Sequence, residues 1–174
     1  MPIRNIIIEP DPILRKKSTS LETVDDSTRK LLDDMLQTMY NAPGIGLAAV
    51  QIGILKRVIV VDLSKKEEEK KPLFLINPEI KLKSKKTSFY EEGCLSLPGY
   101  FAEIERPAEC NIEFIDYYGK KKELKADGLL STCIQHEIDH LEGILFIDYL
   151  SKLKKTMIVK KLSKQKKELE RIVV

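Results

Sequence analysis

The chain has 174 residues, 43% hydrophobic and 33% charged, enough for one globular domain that buries roughly two-thirds of its unfolded surface. Its uncharged apolar stretches, such as Ile6-Ile7-Ile8 and Val58 to Val61, fall far short of the ~20 residues needed to cross a bilayer, which excludes a helical membrane protein. The net charge of +3 is uneven: residues 151–174 hold nine Lys/Arg against two Glu, a local +7 that leaves −4 for residues 1–150. Such a basic tail is either the solvated face of a helix or a phosphate-binding surface. Met1-Pro2-Ile3-Arg4 lacks the apolar region of a secretory signal, so the cytoplasm is the expected compartment. Cys94, Cys110 and Cys133 cannot all pair and read as reduced thiols or metal ligands.

In chain order, Thr23 to Tyr40 forms an amphipathic helical pattern, with Asp25 and Asp26 as caps and Leu31, Leu32, Met35, Leu36, Met39 and Tyr40 on one stripe. It ends at Asn41-Ala42-Pro43-Gly44. A Gly-rich loop follows. Residues 57–62 and 73–76 read as strands on either side of a charged, solvated loop at 65–71. Residues 80–86 and 108–117 alternate apolar with polar as half-buried antiparallel strands do, and Tyr118-Gly119-Lys120 is a turn into a further short strand. A second helix is expected from Asp127 to near Gly143, and a third over the basic tail, with Leu153, Met157, Ile158, Leu162, Leu169 and Ile172 as its apolar members. Strands grouped between helices give an α+β class, with antiparallel or mixed sheets around a central helix and further helices toward the N- and C-termini. No internal repeat or inter-domain linker interrupts the pattern. Residues 1–150 are expected to carry the chemistry, and 151–174 to form a basic helix of the same domain.

Both histidines of the chain lie in Gln135-His136-Glu137-Ile138-Asp139-His140, an H-E-x-x-H pattern inside the second helix. Four residues apart, His136 and His140 stand one turn apart on one face and can share a metal ion with Glu137 beside it. A catalytic site needs a third protein ligand and an open position. Thiols and nearby carboxylates are the candidates. Cys133 lies about 10 Å from His140 along the helix axis, too far for a short side chain. Cys110 shares an inward strand face with Ile112 and Phe114 and reads as core. Cys94, in Glu91-Glu92-Gly93-Cys94-Leu95-Ser96-Leu97-Pro98-Gly99, belongs to a segment whose glycines let backbone approach an ion, and is the best candidate. The loop Gly44-Ile45-Gly46-Leu47-Ala48-Ala49 matches a dinucleotide-binding fingerprint but follows a helix, where that fingerprint follows a strand. Its small residues suit close approach of a substrate backbone or a tight turn, and the amide of Gln51 can donate to an oxygen there.

Together, Gly44 to Gln51, Glu92-Gly93-Cys94-Leu95-Ser96 and Gln135 to His140 make the sequence resemble the peptide deformylase family, with Pro10-Asp11-Pro12-Ile13-Leu14-Arg15 extending the likeness, which runs to about Leu150. The resemblance implies a hydrolase that removes the N-formyl group from the initiator methionine of nascent chains, releasing formate. It implies one divalent metal ion held by Cys94, His136 and His140, Fe(II) in the cell and Zn(II), Ni(II) or Co(II) as replacements. Glu137 would be the general acid/base, and the Gln51 side chain with the Leu95 N–H the oxyanion donors. Ile45, Gly46 and Leu95 would bind substrate, while Gln135 and Asp139 support the motif. Phe101 stands where many bacterial members carry arginine, and Thr132 where they carry a branched aliphatic residue; Arg106 matches a basic family position. The family's C-terminal helix, which docks on the ribosome in some bacterial members, makes the ribosome an expected partner of the basic tail. Two rivals share parts of this pattern: another zinc hydrolase such as a peptidase, and a structural metal domain with an RNA-binding tail.

Overall fold

The computed structural model describes residues 2–173. Helix α1 (Asp26–Asn41) starts where the Asp25 carboxylate accepts the Thr28 N–H at 2.8 Å. This cap places its first turn three residues after the expected Thr23. The Gly-rich loop becomes a short strand, β1 (Gly46–Ala48), and a 3-10 turn over Ala49–Ile52. Strands β2 (Val58–Val61) and β3 (Leu73–Lys83) follow. Residues 73–76 and 80–86 read as separate strands in the sequence, but β3 runs through, because Asn77 takes a left-handed backbone (φ 49°) at a register shift. Asn tolerates that conformation. Its side chain secures the kink by accepting the Leu21 N–H and donating to the Leu21 carbonyl.

Next come β4 (Thr87–Cys94), β5 (Leu97–Pro107), β6 (Glu109–Ile115) and β7 (Lys121–Asp127), then α2 (Gly128–Leu141) and α3 (Lys152–Ile172). The main sheet has the order β1-β2-β3-β6-β7, and β4 with β5 makes a separate hairpin. Pairing between the named strands is antiparallel throughout, so of the antiparallel or mixed arrangements expected, the chain uses the former.

All four residues of β2 are buried because both faces of the sheet are covered. Val58 and Val60 join Leu31, Leu32, Met35 and Met39 of α1, whereas Ile59 and Val61 join Ile134, Ile138 and Leu141 of α2. Period-two alternation thus sends one strand into two cores. A third cluster joins Leu97 and Ile104 of the hairpin to Leu145, Phe146, Ile147 and Leu162 of α3. Both strands of the hairpin also pack against α2. Among the described residues no helix is long and apolar enough to cross a membrane.

Candidate metal centre and active site

Helix α2 is buried almost around its whole circumference, from Ser131 to Ile138 and again at His140 and Leu141. Its apolar face fills the core while its polar face is held by partners from the hairpin. Gln135 donates to the Pro107 carbonyl at 2.9 Å and to Ser131 Oγ at 2.9 Å, fixing α2 against the end of β5. The rings of His136 and His140 lie with centroids 5.0 Å apart, nearly perpendicular. Cys94, the last residue of β4, brings its Sγ to 3.3 Å from His140 Nε2.

The donor atoms of Cys94, His136 and His140 all lie within 4.8 Å of one another. Ligand bonds of about 2.0–2.3 Å close such a set with side-chain shifts of a few tenths of an ångström. Two further observations fit a cation there. His136 Nδ1 lies 2.8 Å from Glu92 Oε1, so with its proton donated to that carboxylate the ring keeps Nε2 as the free lone pair. Burial pushes His140 well below the usual imidazole pKa, so its ring stays neutral and able to ligate. Cys133 is buried too, with Sγ 3.9 Å from the Ile45 carbonyl; it lies outside the three-donor cluster, and burial raises its thiol well above the ordinary value. Cys110 packs in the core beside Ile112, as its strand alternation predicts.

Glu137 is buried, its Oε2 without a hydrogen-bond partner, and burial pushes its carboxyl up to about 7. Gly46 is what admits it: a Cβ at that position would collide with Glu137 Oε1. The smallness of this loop thus serves the carboxylate as well as any substrate. Gln51 is oriented from both ends, its Oε1 accepting the Ala48 N–H at 2.9 Å while its Nε2 donates to Ser96 Oγ at 3.1 Å and lies 3.5 Å from Cys94 Sγ.

These groups line one cleft of about 400 Å³, where Ile45, Gly46, Gln51, Cys94, Leu95, His136 and Glu137 meet. Phe101 and Thr132 line it as well, and the Phe101 ring lies so closely over Gly93 that no Cβ would fit there.

Behind the cleft is a charged network whose contacts sequence reading does not supply. Arg106 donates through Nε and Nη2 to both oxygens of Glu92, at 2.8 and 3.0 Å, and through Nη1 to Asp139 at 2.8 Å. Tyr149 donates to the same Asp139 oxygen at 2.7 Å. Glu92, Arg106 and Asp139 all sit in or beside recognisable motifs, but Tyr149 follows α2 in a 3-10 turn with no signal in its spacing.

The profile of the polypeptide deformylase family matches residues 3–156. The chain is 63% identical to a peptide deformylase of Pelagibacter ubique (strain HTCC1062) over 174 residues, covering all of both chains. It is 56% identical to one from Rhizobium meliloti (strain 1021), covering 96% of each. Among solved structures, peptide deformylase from Ehrlichia chaffeensis superposes with a TM-score of 0.91 at 40% identity, over 96% of this chain and 98% of that one. The same enzyme in complex with actinonin gives 0.90 at 43% identity, over 95% and 98%.

Proposed function

The chain belongs to the polypeptide deformylase family, metal-dependent enzymes that remove the N-formyl group from nascent peptides, and from that premise we propose that Cys94, His136 and His140 hold the ion and Glu137 moves the protons. The observation that carries this assignment is the convergence of those three donors within 4.8 Å of one another, beside a cleft that Cys94, His136 and the buried Glu137, its Oε2 unpartnered, line together. When bound, a divalent ion there lowers the pKa of water and polarises the formyl oxygen. Glu137 takes a proton from the attacking water as its oxygen bonds to the formyl carbon. Charge then develops on the former carbonyl oxygen, where the Gln51 amide and the Leu95 N–H donate, each worth about 3 kcal/mol in well-placed examples. Ile45, Gly46 and Leu95 hold the substrate backbone. As the C–N bond breaks, Glu137 returns the proton to the departing amine, leaving formate and a free N-terminus.

One thiolate among two imidazoles suits Fe(II) as well as Zn(II). We assign Fe(II) as the ion in the cell, with Zn(II), Ni(II) or Co(II) acceptable in purified protein. Among the described residues the cluster supplies three donors, the number that leaves a position open for chemistry rather than the four of a structural zinc site. Residues 1–150 carry these groups, and the basic helix α3, joined to them through Leu162, is assigned as a ribosome contact in the cytoplasm, where nascent chains emerge. The test is formate release from formyl-Met-Ala-Ser by protein purified anaerobically with Fe(II). Turnover on the formylated peptide with no cleavage of its unformylated counterpart is expected; failure with Fe(II), Ni(II) and Co(II) alike overturns the assignment.

A further inference from the structure

Tyr149 is half exposed and lies outside the cleft lining, yet it makes three contacts with the charged network. The buried guanidinium of Arg106 must have its donors satisfied, because removal from water leaves each unmade hydrogen bond uncompensated. Glu92 and Asp139 take those donors. The guanidinium sits over the Tyr149 ring, with Arg106 Cζ 4.8 Å from the ring centroid. At the same time the Tyr149 hydroxyl donates to Asp139 Oδ2, the oxygen that accepts Arg106 Nη1. The residue thus holds the guanidinium with its ring and, at Nη1, with its hydroxyl, directly at 3.4 Å and through Asp139.

The other edge leads to the cleft. Glu92 Oε1 accepts from Arg106 Nη2 at 3.0 Å and from His136 Nδ1 at 2.8 Å. A guanidinium free to tilt carries the Glu92 carboxylate with it, and with the carboxylate goes the direction in which His136 presents Nε2. The same 3-10 turn, Phe146–Tyr149, also sets Phe146 against the His136 ring, with centroids 6.2 Å apart and planes 25° apart. One turn of chain therefore braces His136 on its face directly and at its Nδ1 edge through two intermediaries.

We propose that Tyr149 is a positioning residue for His136, acting through Arg106 and Glu92, with its ring and its hydroxyl making separate contributions. The inference rests on the assignment of His136 as a metal ligand. Groups that orient a ligating imidazole change metal retention by about 10- to 100-fold when removed, and a residue one contact further out acts at the lower end of that range.

The experiment uses full-length protein loaded with Co(II), whose thiolate-to-metal absorption band is followed while an excess of chelator extracts the ion. Tyr149→Phe keeps the ring over Arg106 and loses only the hydroxyl, whereas Tyr149→Leu loses both. Release about 3-fold faster in the first and about 10-fold faster in the second is expected, with kcat on formyl-Met-Ala-Ser falling in step and KM within about twofold of the parent. Asp25→Ala, which weakens the cap of α1 far from this network, is the control for general loosening and should release Co(II) at the parental rate despite a lower Tm. Parental release from Tyr149→Leu, or equal acceleration in Asp25→Ala, overturns the proposal and leaves Tyr149 a packing residue. A parent without the thiolate band, or a Cys94→Ala variant that retains it, overturns the metal assignment itself and this inference with it.

Discussion

Helices α2 and α3 are both rich in polar residues, but they keep them in opposite places. In α2, Gln135, His136, Glu137 and His140 are buried, and several of their polar atoms meet Pro107, Ser131, Glu92 or Cys94. In α3, the nine cations of residues 151–174 line a helix in which Leu162 is the buried residue. Removing a polar group from water is costly unless a partner compensates it, so the crowded polar face of α2 marks groups retained for chemistry. The charge of α3 remains in water and carries no such mark. Net charge locates a surface; burial against matched partners locates a reaction.

The sharpest break in that comparison comes at Cys94. Cys94→Ala should lose the ion and essentially all deformylation, because it removes the one soft anionic donor. Cys133→Ala, on α2 itself but outside the donor cluster, should keep a full complement of ion. Elemental analysis of both, prepared anaerobically, decides the point; the opposite pattern would reverse the assignment of the thiols. Glu137→Gln should keep the ion and lose about a thousandfold in kcat, since an amide cannot accept the proton. Near-parental turnover in that variant would remove Glu137 from its role.

A smaller change probes the fit around the same carboxylate. Gly46→Ala places a methyl where Glu137 Oε1 lies, and a displacement of that size should reduce kcat/KM by about a hundredfold while the metal content holds. On the α3 side the expected effects are on stability and docking. Leu162→Ala should cost about 3 kcal/mol in denaturant unfolding, because its side chain is buried in the hairpin cluster. Deleting residues 165–174, whose described members are exposed, should leave both Tm and kcat near parental values yet weaken ribosome co-sedimentation and flatten its salt dependence. Equal ribosome binding by the two forms would return the distal turns of α3 to a simple solvated face.

The smallest effect is a pH signature at α1. Hydrogen bonds from Ser27 and Thr28 hold the Asp25 carboxyl down at about 2. A depressed carboxylate stabilises the fold above its unfolded pKa of about 3.9, and that contribution fades as pH falls through about 2. Asp25→Ala should therefore melt a few degrees lower at pH 7, with the gap from the parent closing as the solution is acidified into that window.

Parts of this arrangement are legible without coordinates because they are local. H-E-x-x-H puts two imidazoles and a carboxylate on neighbouring turns of any helix, and the apolar run of β2 announces a strand buried on both faces. The β4–β5 hairpin is harder to read. Gly93, Pro98 and Gly99 interrupt its alternation, and the apolar groups that stabilise it come from residues 145–147 and Leu162, far along the chain. The left-handed turn at Asn77 hides the continuity of β3 for a similar reason, since a Pro following an Asn reads as a stop. Around the candidate site, Glu92, Arg106 and Asp139 are individually visible and Tyr149 is not, and their pairing spans four separate elements. Only packing of the hairpin on α2 brings them together.

The position of β2 has a consequence for how the molecule opens. Its four residues are shared between the α1 and α2 cores and flanked by β1 and β3, so the ladder amides of this strand cannot meet solvent without disrupting both layers. They should be among the last in the chain to exchange with deuterium, at a rate set by global unfolding, while the distal turns of α3 exchange through local fraying many orders of magnitude faster. The protein then carries its own internal clock: the slowest amides time the loss of the whole fold.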